Sequence, residues 1–463
     1  MNAKAVVTFN PATDEQLASY PGLDEDGINK ALDLAVAVQR EWQKTDLETR
    51  AQALRNLANI LRNEVDEHAA LISTEMGKPI TEARGEVLKC ATTCDYYAEH
   101  LAEYLSPKAV KTEAVRSFVS YEPLGVIFAV MPWNFPYWQV IRFAAPTLAA
   151  GNGGLLKHAS NVTGAAVAIQ SAIERAGFPK GLFTSLVADH SAVNRIVEDP
   201  RVAAVTLTGS EKAGSMVAEA AGRALKKTVL ELGGSDPFVV LNDANIEAIA
   251  PYAVKARFIN TGQSCLCAKR FIVQSGVVAD FENRIKAIVE NLVIGDPLDP
   301  KTQIGPLAKA AFVDEIDGQV QASIAMGARL VTGGHRIDGT GNYYAPTILA
   351  DVTPDMPVFN QETFGPVLAL VSADTPANAI ALANNSQYGL AASIWTANPD
   401  VGLELGSGIN SGALFINGVV ASDPRLPFGG VKLSGYGREL SVEGMHEFLN
   451  VRAVWIGDMP SVA

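Results

Sequence analysis

A cysteine placed directly behind a polar, glycine-bearing turn gives this 463-residue chain its first candidate for chemistry. The run is Phe258-Ile259-Asn260-Thr261-Gly262-Gln263-Ser264-Cys265. A thiol is a useful nucleophile near neutral pH only beside a base or in positive surroundings. Upstream, Leu230-Glu231-Leu232-Gly233-Gly234-Ser235-Asp236-Pro237 sends a carboxylate into two glycines, which let it approach a reacting centre closely. In an apolar pocket such a carboxylate can serve as a base. A third segment, Met131-Pro132-Trp133-Asn134-Phe135-Pro136, stiffens the backbone on both sides of Asn134, whose amide could then donate to a developing oxyanion. Plain alternatives exist for each: a small buried hydrophobe for Cys265, a simple turn for Asn134, a charged strand end for Glu231. The ordered occurrence of all three favours chemistry.

A possible anion cradle lies between them. Thr208-Gly209-Ser210-Glu211-Lys212-Ala213-Gly214 reads as a strand running into a helix N-terminus, where free N–H groups and the helix dipole attract phosphate. The GxGxxG fingerprint is absent, so the usual dinucleotide signal is missing.

The elements that must position these residues follow from apolar spacing. Asp26–Trp42, Thr45–Arg62, Val65–Glu75 and Thr81–Leu105 show helical periodicity, the second with Thr45 and Glu48 at capping-box spacing. Lys111–Pro123 alternates as a β-hairpin arm. Strand–helix units follow, the pattern of a helix-covered parallel sheet. Strands are expected at Gly125–Met131, Gly151–Lys157 and Ala203–Thr208, with helices beginning near Trp138, Val162 and Glu211. A second α/β series begins after Glu231. Its strands are Pro237–Leu241, Arg270–Gln274 and Val367–Val371, and its helices Ile246–Phe258, Gly276–Asn291 and Ala308–Met326.

Composition narrows the class. A hydrophobic content of 48% and a charged content of 19% suit a globular protein of two or three domains. A net charge of −13 argues against nucleic acid or an anionic membrane as partner, so anionic ligands must be caught locally. Four cysteines make no disulfide framework, and Cys90 and Cys94, one helical turn apart, read as core packing. No signal peptide or spanning segment is evident, and a cytoplasmic location is expected. Nothing in the sequence asks for a metal.

Taken together, the segments resemble the aldehyde dehydrogenase superfamily over nearly the whole chain, from Asn10-Pro11-Ala12-Thr13 to the glycine-rich C-terminal block. Within it, Lys157-His158-Ala159-Ser160-Asn161 resembles the shorter bacterial succinate-semialdehyde dehydrogenases. The resemblance implies an α/β fold with a Rossmann-variant dinucleotide domain (1–109 and 123–229), a catalytic domain (230–425) and an oligomerisation arm (110–122 and 440–463). It implies Cys265 as nucleophile, Glu231 as base for thioester hydrolysis, and Asn134 as oxyanion donor. Cofactor contacts would come from Trp133, Lys157, Ser160, Gly209, Ser210, Glu362 and Phe364, with Glu362 in Gln361-Glu362-Thr363-Phe364-Gly365-Pro366 on the nicotinamide ribose. Arg142 and Ser422 would bind the substrate carboxylate, a guanidinium being suited to bidentate capture. Ile259 stands where some relatives have a second Arg, leaving the length of the aldehyde open. Glutarate semialdehyde or an aliphatic aldehyde are alternatives, as is a catalytically idle binding protein. Ser160, where NAD-preferring members carry Glu, implies NADP with NAD possible. A homodimer or homotetramer is expected, because the arm would leave unpaired edges in a monomer. Cys267, two residues past a low-pKa Cys265, is either a redox partner or loop packing.

Overall fold

The computed structural model describes residues 4–458, so the outer ends of the expected dinucleotide domain (1–3) and arm (459–463) lie outside the described residues. Helix starts follow side-chain caps. Asp24 accepts from the Gly27 N–H to open Glu25–Trp42. The next helix runs Leu47–Asn63 and is capped by Asp46, which accepts from Thr49. The expected capping box at Thr45 and Glu48 is therefore displaced by one residue, because Asp is the stronger cap and Thr45 instead donates its hydroxyl to the Trp42 carbonyl. Val65–Met76 ends at Gly77, whose φ of +84° suits glycine. The 25-residue helix Ile80–Tyr104 then packs against Leu47–Asn63, Val65–Met76 and the wholly buried Trp138–Ala149.

Two parallel sheets form the body. The first runs, in spatial order, Gly435–Tyr436, Lys227–Glu231, Val202–Thr208, Val126–Met131, Gly153–His158 and Phe183–Ser185. Only Gly435–Tyr436 is antiparallel. Strand order reverses between Val126–Met131 and Val202–Thr208, and the crevice beyond their carboxyl ends is where such sheets hold ligands. The second sheet runs Arg329–Thr332, Thr347–Ala350, Val367–Ala373, Ala268–Gln274, Asp236–Val240, Ala391–Trp395 and Ala413–Ile416, with only the first strand antiparallel. Apart from the sheets, Leu449–Ile456 pairs with Arg116–Pro123, which pairs with Lys108–Ala109, giving a three-stranded arm. No helix among the described residues is long and apolar enough to cross a membrane.

Candidate active site

Cys265 sits on a loop whose shape is unusual. After the helix Ile246–Phe258, Asn260, Thr261 and Gly262 adopt φ of +53°, +56° and +73° in succession. A β-branched residue such as Thr261 is strained there, and such strain persists only where surroundings over-determine it. They do. The Asn260 N–H donates to Glu82 Oε2 at 2.6 Å. Thr261 Oγ1 accepts from Gly305 N at 3.1 Å, and Gln263 Oε1 accepts from Ala308 N at 2.9 Å. Lys269, fully buried, donates to the carbonyls of Ser264 (2.8 Å) and Cys265 (2.7 Å). A Cβ on Gly262 would strike the Gly365 carbonyl.

Asn134 reaches the same loop. Its Nδ2 donates to the Gln263 carbonyl at 3.1 Å, while its Oδ1 accepts from Gln139 Nε2 at 3.0 Å. Gln139 thereby fixes which end of the amide faces the cysteine loop. Asn260 Nδ2 ties the two segments by donating to the carbonyls of Asn134 (2.8 Å) and Gln263 (3.0 Å). The Asn134 turn is itself held from the long helix, since Glu86 Oε1 accepts from Tyr137 N (2.8 Å) and Trp138 N (3.0 Å) and Glu86 pairs with buried Lys78.

Glu231 ends its strand in a buried position with Oε1 free of any partner. The following glycines are obligatory: a Cβ on Gly234 would lie 2.7 Å from the Cys265 carbonyl oxygen, and one on Gly233 would collide with Glu211 and Glu362. Burial, then repulsion from Glu439, pushes the Glu231 carboxyl well above its ordinary range, with Arg142 acting the other way. Burial also pushes the half-buried Cys265 thiol up to about 12, although Lys269 and Arg142 favour the thiolate. This differs from the expected low-pKa cysteine: desolvation outweighs the pull of Lys269 and Arg142. Cys267 is buried, its thiol donating to the Ile259 carbonyl at 3.6 Å. Cys90 and Cys94 are fully buried in the helical core.

A cavity of about 680 Å³ opens onto Cys265, lined also by Phe135, Trp138, Ile259 and Ser422. Arg142 lines it, but its guanidinium forms a buried ion pair with Glu439, donates to Thr208 Oγ1 at 3.4 Å and stacks 4.8 Å over Phe428. It is not the free fork that bidentate capture requires. Ser422 Oγ accepts from Lys89 Nζ at 2.7 Å. Lys89, Glu82 and Glu86 escaped sequence reasoning because they sit in a long amphipathic helix without any motif. Their spacing of four and three, which puts all three on one helix face, was the available signal.

The dinucleotide side is more open. Ser160 and Ser210 are exposed, and Ser210 Oγ caps the helix Glu211–Arg223 by accepting from Ala213 N. A Cβ on Gly209 would meet only Leu207, at 3.6 Å. Lys157, 3% exposed, has a single acceptor, the His158 carbonyl at 3.2 Å, and burial lowers it to about 8. A buried cation without a carboxylate partner, a carboxylate-free Ser160 beside it in one cleft, and an open helix N-terminus fit a phosphorylated dinucleotide. Glu362 accepts from Gly234 N at 3.0 Å and pairs with Lys269 at 3.4 Å, linking this side to the cysteine loop. Trp133 stacks on Phe312 and meets Phe364 edge-on.

This combination of a two-sheet fold with a cysteine, a carboxylate and an amide at one crevice agrees with the comparisons. The aldehyde dehydrogenase family model matches residues 1–454, and the chain belongs to that family. It is 48% identical over 453 residues to the succinate semialdehyde dehydrogenase [NAD(P)+] Sad of Escherichia coli K12, covering 98% of each chain. It is 44% identical over 454 residues to the succinate-semialdehyde dehydrogenase [NADP(+)] 1 of Mycobacterium tuberculosis H37Rv, covering 97% of this chain and 99% of that one. The structure of succinic semialdehyde dehydrogenase from Streptococcus pyogenes in complex with NADP+ matches with a TM-score of 0.96 at 39% identity, covering 98% of this chain and all of that one. The expected aldehyde dehydrogenase fold is what the chain adopts.

Proposed function

We propose that this chain oxidises succinate semialdehyde to succinate with NADP, NAD being the weaker alternative. The observation that carries this reading is the cavity on Cys265, which combines apolar walls with three cationic side chains, Lys89, Arg142 and Lys255, and a buried serine hydroxyl, Ser422. An aldehyde bearing a carboxylate matches that lining better than a neutral one, and the relatives' names point the same way.

In this reading Cys265 Sγ gives its proton to solvent water and bonds to the aldehyde carbon, and the carbonyl oxygen takes up charge as a thiohemiacetal oxyanion. Asn134 Nδ2 and the Cys265 N–H donate to that oxygen, held in place by Gln139 and Asn260. The bound nicotinamide dinucleotide supplies the two-electron acceptor. The acyl group then remains on Cys265 as a thioester. Glu231, in its ionised form, takes a proton from water as the water oxygen bonds to the acyl carbon, and the C–S bond breaks to release carboxylate and thiol. A raised carboxyl gives a stronger base once ionised, and ionisation is favoured by rising pH. Lys157 and Ser160 would hold the adenosine ribose and its phosphate, Gly209 and Ser210 the pyrophosphate. Glu362, with Trp133 and Phe364 nearby, would hold the nicotinamide ribose.

Residues 1–109 with 123–229 and 230–425 would act as the dinucleotide and catalytic domains. The arm, with Val451, Trp455 and Ile456 exposed on its outer strand, would pair subunits into a dimer or tetramer in the cytoplasm. Comparing kcat/KM across succinate semialdehyde, glutarate semialdehyde and butanal, with NADP and with NAD, tests the reading. Succinate semialdehyde with NADP should lead, and equal rates with butanal would overturn it.

A further inference from the structure

The helix Ile80–Tyr104 presents Glu82, Glu86 and Lys89 side by side along the cavity wall. Two of the three have structural work. Glu82 holds the cysteine loop through Asn260 N, and Glu86 holds the Asn134 turn through Tyr137 N and Trp138 N. Lys89 holds neither.

An ammonium has three donors and no acceptor. Lys89 uses one on Ser422 Oγ at 2.7 Å and rests its charge 3.9 Å from the Trp138 ring centre. No carboxylate of the described residues lies within 4.0 Å of its Nζ, so this largely enclosed cation has no direct carboxylate contact, and the more distant Glu86 and Asp423 offset its burial only in part. Burial and then the Arg142 charge press it down to about 8, a pressure that an anion in the cavity would relieve. Arg142, a second cation of the lining, already has its carboxylate in Glu439. Arg142 and Lys89 therefore differ: one is in direct contact with a carboxylate and the other is not, while the third cation of the lining, Lys255, is exposed to solvent.

We infer that Lys89, steadied by Ser422 and the Trp138 ring, is the principal anchor for the far carboxylate of the substrate, and that Arg142 is mainly committed to Glu439. This rests on the semialdehyde reading of the same cavity. In a buried setting a charge-assisted contact of this kind is strong and directional. Ser422 Oγ, which already accepts from Lys89, is left with its own O–H to donate to the same carboxylate.

The test measures kcat/KM for succinate semialdehyde and for butanal, both four-carbon aldehydes, in wild type, Lys89→Met and Lys89→Arg. Lys89→Met should lose about 10–10²-fold on succinate semialdehyde, mostly through KM, while butanal is unchanged or improved. Lys89→Arg should keep most of the discrimination. Should the Met variant fold poorly, Lys89→Gln and the slowing of Cys265 alkylation by succinate provide the same comparison without turnover. Retention of the wild-type preference in Lys89→Met, or equal losses on both aldehydes, would overturn the anchor and leave the semialdehyde reading standing. A wild type without any preference for succinate semialdehyde over butanal would overturn both.

Discussion

The two halves of the crevice are built on opposite plans. On the dinucleotide side, the binding elements are backbone ends and small side chains: an open Gly209, an N-capped helix, an exposed Ser160. On the cysteine side, three successive left-handed residues lead into a loop tied down by Glu82, Lys269, Gln263 and Gly305 through buried and partly buried hydrogen bonds. A ligand that brings its own charge can be caught by dipoles and N–H groups with no strain. A nucleophile that must meet a carbonyl at one angle needs a loop that cannot relax. Rigidity is thus concentrated where bonds change.

Breaking the acyl-transfer side should have the largest effect. Cys265→Ala should show neither burst nor turnover, whereas Glu231→Gln should keep a burst of about one reduced cofactor per site and lose roughly 10²–10⁴-fold in steady turnover. Rapid-mixing absorbance separates the two, and turnover by Cys265→Ala would end the mechanism. On the open side, Ser160→Glu should shift the NADP-to-NAD ratio of kcat/KM towards NAD by roughly 10–10³-fold, since a carboxylate there repels the 2′-phosphate. An unmoved ratio would show that Ser160 does not read the cofactor.

Smaller effects sharpen the contrast. Removing Arg142 as alanine leaves Glu439 buried without its partner, at a cost of about 3–5 kcal/mol. The expected signature is a lowered Tm with losses on both aldehydes; a loss confined to carboxylated ones would return the anchor role to Arg142. Glu82→Ala leaves the Asn260 N–H unsatisfied, about 1–3 kcal/mol, and should lower kcat, while Glu82→Gln, which still accepts, should restore most of it. Lys89 faces Arg142, Glu86, Cys90 and Asp423 and titrates at about 8. Being cationic below that pH and neutral above it, Lys89 should make the semialdehyde-to-butanal ratio of kcat/KM fall by up to about tenfold between pH 7 and 9.5. Thiol ionisation cancels in that ratio, so a flat profile would contradict the prediction.

Residues carried on loops beside glycines and prolines were legible in the sequence. Cys265, Glu231 and Asn134 stand in segments whose punctuation only makes sense for a special backbone, and they converge in space. The helical first third and both strand–helix series were also legible from periodicity, with ends shifted by one or two residues. Ala391–Trp395 and Ala413–Ile416 were missed because short apolar runs in a parallel sheet lack alternation. Lys89, Glu82 and Glu86 were missed for a different reason. A polar stripe on a helix normally faces water, and only the packing of Trp138–Ala149 and the cysteine loop against it turns that stripe inward. The pairing of Arg142 with Glu439 was equally invisible, being a contact across almost three hundred residues.

The antiparallel edge strand Gly435–Tyr436 has a bearing on biogenesis. It pairs with Leu230 and Glu231, and the residues around it bring Ser434 against Gly233 and Glu439 against Arg142. A ribosome that has released Cys265, Asn134 and Glu231 has therefore still not delivered a finished centre. Without residues 434–439 the base would lie on an open sheet edge and Arg142 would lack its counter-charge. The base and its neighbouring cation thus owe their final surroundings to a strand far downstream of the nucleophile.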